Sequence, residues 1–233
     1  MIIRILNKGY LLILFCCLAA CGPESPSELP DVLMPTEEGM LEDSAAISCV
    51  ALHYQYTDHQ KFLSWINGAD SLRKSYGLHD HSVLRLIEDT TRVLELLTVD
   101  DMARGNDFAI STHIKNITDT YGFLGRPTVY LLNAVQMADK GMSSTCMLLQ
   151  HDVRNFQEWK AGFEEYNAGN KNGNVRALCL FSTYRKPNKV SVLMEIKNIE
   201  IGKELVSNPE IMATIRSLGA ITEPKMTLLE VWR

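Results

Sequence analysis

The chain has 6 histidines, the only side chains whose ordinary pKa lies near neutrality. His151 is the one whose setting best suits chemistry. It sits in Cys146–Trp159, CMLLQHDVRNFQEW, where an apolar run ends and an amphipathic one begins. There it could act as a base or hydrogen-bond a ligand. The alternative is that it bonds nearby backbone and fixes the strand-to-helix turn. Trp159, Phe163 and Tyr166 come after it at helical steps, so with Phe156 they share one face. They could line an apolar pocket, or serve as plain core. Tyr184 and Trp232 add aromatic surface near predicted strand ends. In His79-Asp80-His81 the two imidazoles would share a strand face, but two ligands are too few for a closed zinc site. A polar strand start explains them better, and no metal site is expected. His113 and Asn116 stand near a predicted helix start, where capping is the simplest role. No nucleophile elbow, phosphate loop or dinucleotide fingerprint is present.

The elements that must position these residues come in two sets. CVALHYQYTDHQKF, from Cys49 to Phe62, repeats the layout of the His151 stretch 97 residues upstream. The same offset relates Val93 to Val190, Gly122 to Gly219, Pro127 to Pro224 and Leu131 to Leu228. Each set reads βαββαβ. In the first, Ile47 to Tyr54 is a predicted strand, and Asp58 caps a helix running to about Tyr76, closed by Gly77. Strands at 81–88 and 92–99 flank the turn Asp89-Thr90-Thr91. A broken helical stretch over 101–121, with Ser111 capping its second part, ends at Gly122. A last strand covers 127–135. In the second set, strands at 174–183 and 189–196 flank a turn at 184–188. Asn208-Pro209-Glu210 is a helix start: a cap, a proline in the first turn, then an acid near the positive end of the dipole.

This order is ferredoxin-like, an antiparallel sheet with helices on one face. The other face of such a sheet normally meets water, and its strands then alternate apolar with polar. Here VSVLMEI at 190–196 and VYLLNAV at 129–135 do not. Both faces need cover, so the fold class is α+β: tandem modules closing one intramolecular pseudo-dimeric barrel. A barrel closed within one chain would leave the protein monomeric.

Charge and composition set the rest. Residues 1–20 carry two basic residues and an apolar run from Tyr10, the form of a signal peptide. Leu18-Ala19-Ala20-Cys21 is similar to a bacterial lipoprotein box, which implies cleavage before Cys21 and its lipidation. Residues 21–45 hold four prolines, seven acids and no Lys or Arg. Such a tether buries too little apolar surface to order itself. The domains expected are therefore a signal peptide at 1–20, a tether at 21–45, modules at 46–135 and 145–233, and a linker at 136–144. With Gly22 after the cysteine, the address is the cell envelope, lipid-anchored at the outer membrane and facing the periplasm. The tether's −7 and the +2 of residues 1–20 account for the net charge of −5; a neutral body has no basic footprint for nucleic acid. Cys49 and Cys146 hold matching places and Cys179 a third. They form a bridge between the modules or remain buried thiols.

On these residues the chain resembles the dimeric α+β barrel superfamily, and within it the antibiotic-biosynthesis-monooxygenase modules. His151-Asp152-Val153-Arg154-Asn155-Phe156-Gln157-Glu158-Trp159-Lys160, together with Phe163, is similar to the pattern H-x-V-x-D-[FY]-x-x-W-x-x-x-F of many members. The first set departs from it, with Tyr54 for His151 and Phe62 for Trp159. The resemblance implies a ligand pocket between helices and sheet of one module, with His151, Trp159, Phe163 and Tyr184 as candidate ligand-binding residues and His151 as candidate catalytic group. The superfamily also includes haem users, some with an axial histidine on the helix where His113 stands. Three functions are open on this resemblance. One is binding of a small, largely apolar ligand without a cofactor. The second is a cofactor-independent monooxygenase or a haem-using enzyme. The third is a structural or interaction lipoprotein. Fold membership alone does not choose among them.

Overall fold

Fifteen elements build the body in the computed structural model, which describes residues 46–137, 142, 144–169 and 173–232. The signal peptide, the tether with Cys21, and most of the linker lie outside the described residues. The first half runs β1 (Ile47–Gln55), α1 (His59–Gly68), α2 (Asp70–Ser75), β2 (Leu78–Leu86), β3 (Arg92–Val99), α3 (Met102–Ile110), α4 (Thr112–Tyr121) and β4 (Thr128–Met137). The second runs β5 (Thr145–Asp152), α5 (Phe156–Gly169), β6 (Val175–Thr183), β7 (Lys186–Ile196), α6 (Ile199–Ser207), α7 (Pro209–Ser217) and β8 (Lys225–Val231). Among the described residues no helix is long and apolar enough to cross a membrane.

The eight strands close into an antiparallel barrel of order β1-β3-β2-β8-β5-β7-β6-β4. Within the first half β1 lies between β3 and β4; within the second β5 lies between β7 and β8. Cys49 faces Thr98 and Leu132, while Cys146 faces Glu195 and Leu229. Two seams join the halves, β2 with β8 and β4 with β6.

Alternation along each strand sends successive side chains to opposite faces. One set fills the barrel, including Cys49, Ala51, Leu96, Leu132, Phe181 and Leu193. The other set meets helices in two separate cores, one around Phe62, Trp65 and Phe108 and one around Phe156, Trp159 and Phe163. Strands buried on both faces explain why the sequence shows apolar runs instead of alternation.

The caps fall where polar side chains can accept the first free amides of a helix. Asp58, Asp101, Ser111, Asn198 and Asn208 each do so. Gly122 closes α4 at φ +67°, a conformation that suits glycine.

The structure adds α6, a helix not predicted before Asn208, and moves three boundaries. The helix expected from Asp58 to Tyr76 breaks at Ala69, where Arg73 donates to the carbonyl of Ile66 and to that of Trp65, which also accepts from the Ala69 amide. β2 begins at Leu78 instead of 81, with a register shift between His79 and Ser82 and Asp80 at φ +45°. The turn expected over 184–188 shrinks to Tyr184-Arg185, because β7 already begins at Lys186 and Arg185 takes φ +60°. Pro187 is exposed at this end of the ladder, where proline's missing amide is tolerated.

Candidate functional site

β5 is where the two kinds of interior meet. Leu148 belongs with the barrel core, whereas Met147 and Leu149 belong with the helix-side core of the second half. His151 continues the helix-side row and Gln150 the inward one. A cavity of about 610 Å³ is lined by both.

The turn after His151 sets the position of its ring. Val153 bridges to Ala220 and donates its amide to Asn188, which fixes the exit of the strand. Asn155 then caps α5 by accepting from the amides of Gln157 and Glu158 at 2.9 and 3.2 Å. That start turns Trp159 under the imidazole, edge to face, at 5.3 Å between centroids. Phe163 stacks on Trp159 at 5.4 Å. His151 is 5% exposed, and neither of its ring nitrogens has a hydrogen-bond partner among the described residues. Burial pulls its pKa down to about 4, against a small opposing pull from Asp152. The ring is therefore neutral at pH 7, with one nitrogen a donor and the other an acceptor. Buried polar atoms without partners are uncommon and costly. Here the residue that carries them lines a cavity.

The first half closes the matching place. Tyr54 stands there, and its hydroxyl donates to Glu95 Oε2 at 2.9 Å. Trp65 Nε1 donates to the same oxygen at 2.9 Å, and the Arg73 guanidinium pairs with Oε1 at 2.9 Å. Glu95 is fully buried. Burial and the neighbouring carboxylate hold the Tyr54 hydroxyl well above its ordinary pKa. The residue 97 beyond Glu95 is Val192, so His151 has no such acid to bond.

The other sequence candidates separate. Trp159 and Phe163 are buried behind His151 and do not line the cavity. Tyr166 is 42% exposed, so the aromatic face ends one turn early. Tyr184 lies on the tight turn with the Arg185 guanidinium 5.3 Å above its ring, also outside the cavity lining. Trp232 covers the first half's core, 4.9 Å from Phe62. His79 bonds Asp100 at 2.8 Å and Asp80 accepts from Thr98 at 2.8 Å. No group of three metal-ligating side chains occurs among the described residues. His113 is exposed in the first turn of α4 and does not line the cavity. Cys49, Cys146 and Cys179 are free, buried thiols, with pKa values pushed up by burial to about 12, 12 and 11.

Sequence reasoning missed His53, Arg92, Gln150, Ser191 and Lys225, all in the cavity lining. The signal in the sequence is partial: each shares the inward parity of its strand's barrel-core residues, but nothing there shows that these positions converge.

No protein-family profile and no curated protein matches the sequence. Solved structures are similar in fold. An anthrone oxidase-like protein superposes with a TM-score of 0.57, covering 80% of this chain and 92% of that one at 10% identity. A candidate monooxygenase from Fusobacterium nucleatum subsp. nucleatum does so with a TM-score of 0.50, covering 81% and 94% at 13% identity. The likeness establishes the fold, a dimeric α+β barrel, here formed by one chain.

Proposed function

We propose that this chain binds a small, largely apolar ligand in the second half of the barrel, oriented by His151. The observation that carries the reading is the pair of partnerless nitrogens on a buried, neutral imidazole that borders a cavity. A ligand with one hydroxyl or carbonyl would satisfy one of them, and Val206, Met226 and Leu228 supply apolar wall beside it. The test is native mass spectrometry of protein purified from its own host, beside a His151→Phe variant of similar bulk. Retained small-molecule mass on the parent and its loss from a variant that melts at the same temperature is the expected result. Equal retention by both would overturn the role of His151.

One feature favours an enzymatic version. A neutral imidazole facing a cavity can take a proton from an acidic C–H or O–H, and the fold is similar to that of an anthrone oxidase-like protein. Oxygen consumption with a hydroxylated polycyclic substrate, lost in His151→Phe, would establish it. The haem alternative has no support from His113, which is exposed and outside the cavity lining.

The two halves are best understood as copies of one ferredoxin-like module. Strand partners in the two central sheets keep the 97-residue offset: Tyr54 with Val93 and His151 with Val190, Ala51 with Tyr130 and Leu148 with Thr227. The second copy would keep the ligand site, while the first, with its closed Glu95 cluster, would be chiefly structural. The lipoprotein box supports anchoring through Cys21 at the outer membrane, on the periplasmic side. Cys21→Ser should release the protein into the soluble envelope fraction, and a membrane-bound Cys21→Ser variant would refute the anchor.

A further inference from the structure

The barrel interior itself is hollow at one end. Leu94 and Leu148 point inward yet are only partly buried, and with Leu132, Phe181 and Leu193 they line the cavity. Cys49, Leu84, Ala134, Cys146, Leu178 and Cys179 belong to the same core but not to the lining. That end is filled, so the lumen is a blind, apolar cup. Its mouth is basic. His53 and Arg92 stand there on β1 and β3, and Lys225 on β8. Arg92 and Lys225 both push the His53 pKa down, after burial, so their charges converge on one place. Two of the acids at the mouth are already paired: Asp152 with Lys189 at 3.7 Å and Glu223 with Arg216 at 2.6 Å. Glu88 remains, a single exposed acid. Among the described residues Arg92 and Lys225 have no ion pair.

We infer that this cup is a second ligand compartment, taking an amphiphile with a medium-length apolar chain and one carboxylate, its chain in the lumen and its head between Arg92 and Lys225. The apolar wall favours the chain in proportion to the area it removes from water. The unpaired cations select an anionic head, since a carboxylate can accept a forked pair of bonds from arginine. A cationic head would meet the same charges as repulsion. The lumen is the inward part of the cavity that His151 lines from the other face of β5, and the head-group site does not use that residue.

Isothermal titration of the full chain with dodecanoate and with dodecan-1-ol tests this. Dodecanoate should bind one to one and at least about tenfold more tightly than the alcohol, as one charge-assisted hydrogen bond implies. Arg92→Ala and Lys225→Ala, both at the partly exposed mouth, should each weaken dodecanoate by about tenfold and leave dodecan-1-ol unchanged. Methyl NMR locates the chain: shifts at Leu94, Leu132 and Leu148 are expected. Equal affinity for acid and alcohol overturns the head-group assignment. Shifts confined to Met226 and Leu228 put the chain in the helix-side pocket and overturn the lumen. Absence of dodecanoate binding by folded protein overturns both.

Discussion

At the scale of single residues, the two halves differ in how they treat one buried polar position. His151 is neutral and unbonded, and this makes stability depend on pH. Its folded pKa, about 4, lies below the ordinary 6.5. The unfolded chain therefore takes up a proton below pH 6.5 that the folded chain refuses until about pH 4. Stability is full above 6.5 and falls as pH drops toward 4, by on the order of 3 kcal/mol. His53, also lowered by burial, adds in the same direction. Urea denaturation at pH 7 and pH 4.5 should show a large loss in the parent and a smaller one in His151→Phe. Identical losses would contradict the assignment. Glu95 is the opposite case, a buried carboxylate that accepts from Tyr54, Trp65 and Arg73. Glu95→Gln leaves the buried Arg73 charge with only the exposed Asp70, 3.1 Å away, as an acid partner, which should cost about 3 kcal/mol. Adding Arg73→Met should recover much of that, because the stranded charge goes with it; a double-mutant cycle with additive losses would refute the pairing.

At the scale of elements, the helices are placed by close contacts as much as by caps. Gly202 on α6 shows this. A Cβ there would stand 2.6 Å from Ile196 Cδ1 and 2.7 Å from Leu228 Cδ2. Gly202→Ala would force the Ile196 and Leu228 side-chain ends to repack under α6 and should cost about 1 kcal/mol, read as a lower denaturation midpoint. A midpoint at or above the parent's would show that the methyl groups yield. Legibility in the sequence divides along the same line. Strand and helix order, the caps at Asp58, Ser111 and Asn208, and the closing turn at Gly122 are readable there, because each depends on a few adjacent residues. The place of His151 beside Trp159 is readable from one strand-turn-helix unit. The break at Ala69 is not, since it depends on Arg73 reaching back to carbonyls of the preceding helix. Nor is the hollow mouth, because His53, Arg92 and Lys225 come from three strands brought together only by barrel closure.

At the scale of the whole molecule, closure is what the apolar strands require. The interior core takes Ala51, Leu96 and Leu132 from the first half and Phe181, Leu193 and Leu229 from the second. Neither half can bury that face alone, and an exposed apolar face of this size drives association. The seams hold the halves with few pairs, three between β2 and β8 and five between β4 and β6. Arg85 and Glu230 add one ion pair across the first, at 2.8 Å, partly exposed and so worth little. Packing, not the seams, must then keep the barrel shut. A chain cut by a protease site placed between Met137 and Thr145 should stay whole on size exclusion at neutral pH and low denaturant. The same halves produced separately should be insoluble or self-associate, and should regain the barrel when refolded together. High salt tests the cause, because it screens the ion pair and strengthens apolar burial. The cut chain should hold together at least as well in high salt as in low. Separation into two soluble, monomeric halves would mean that each half shields its own inner face, and the closed interior would have to be abandoned.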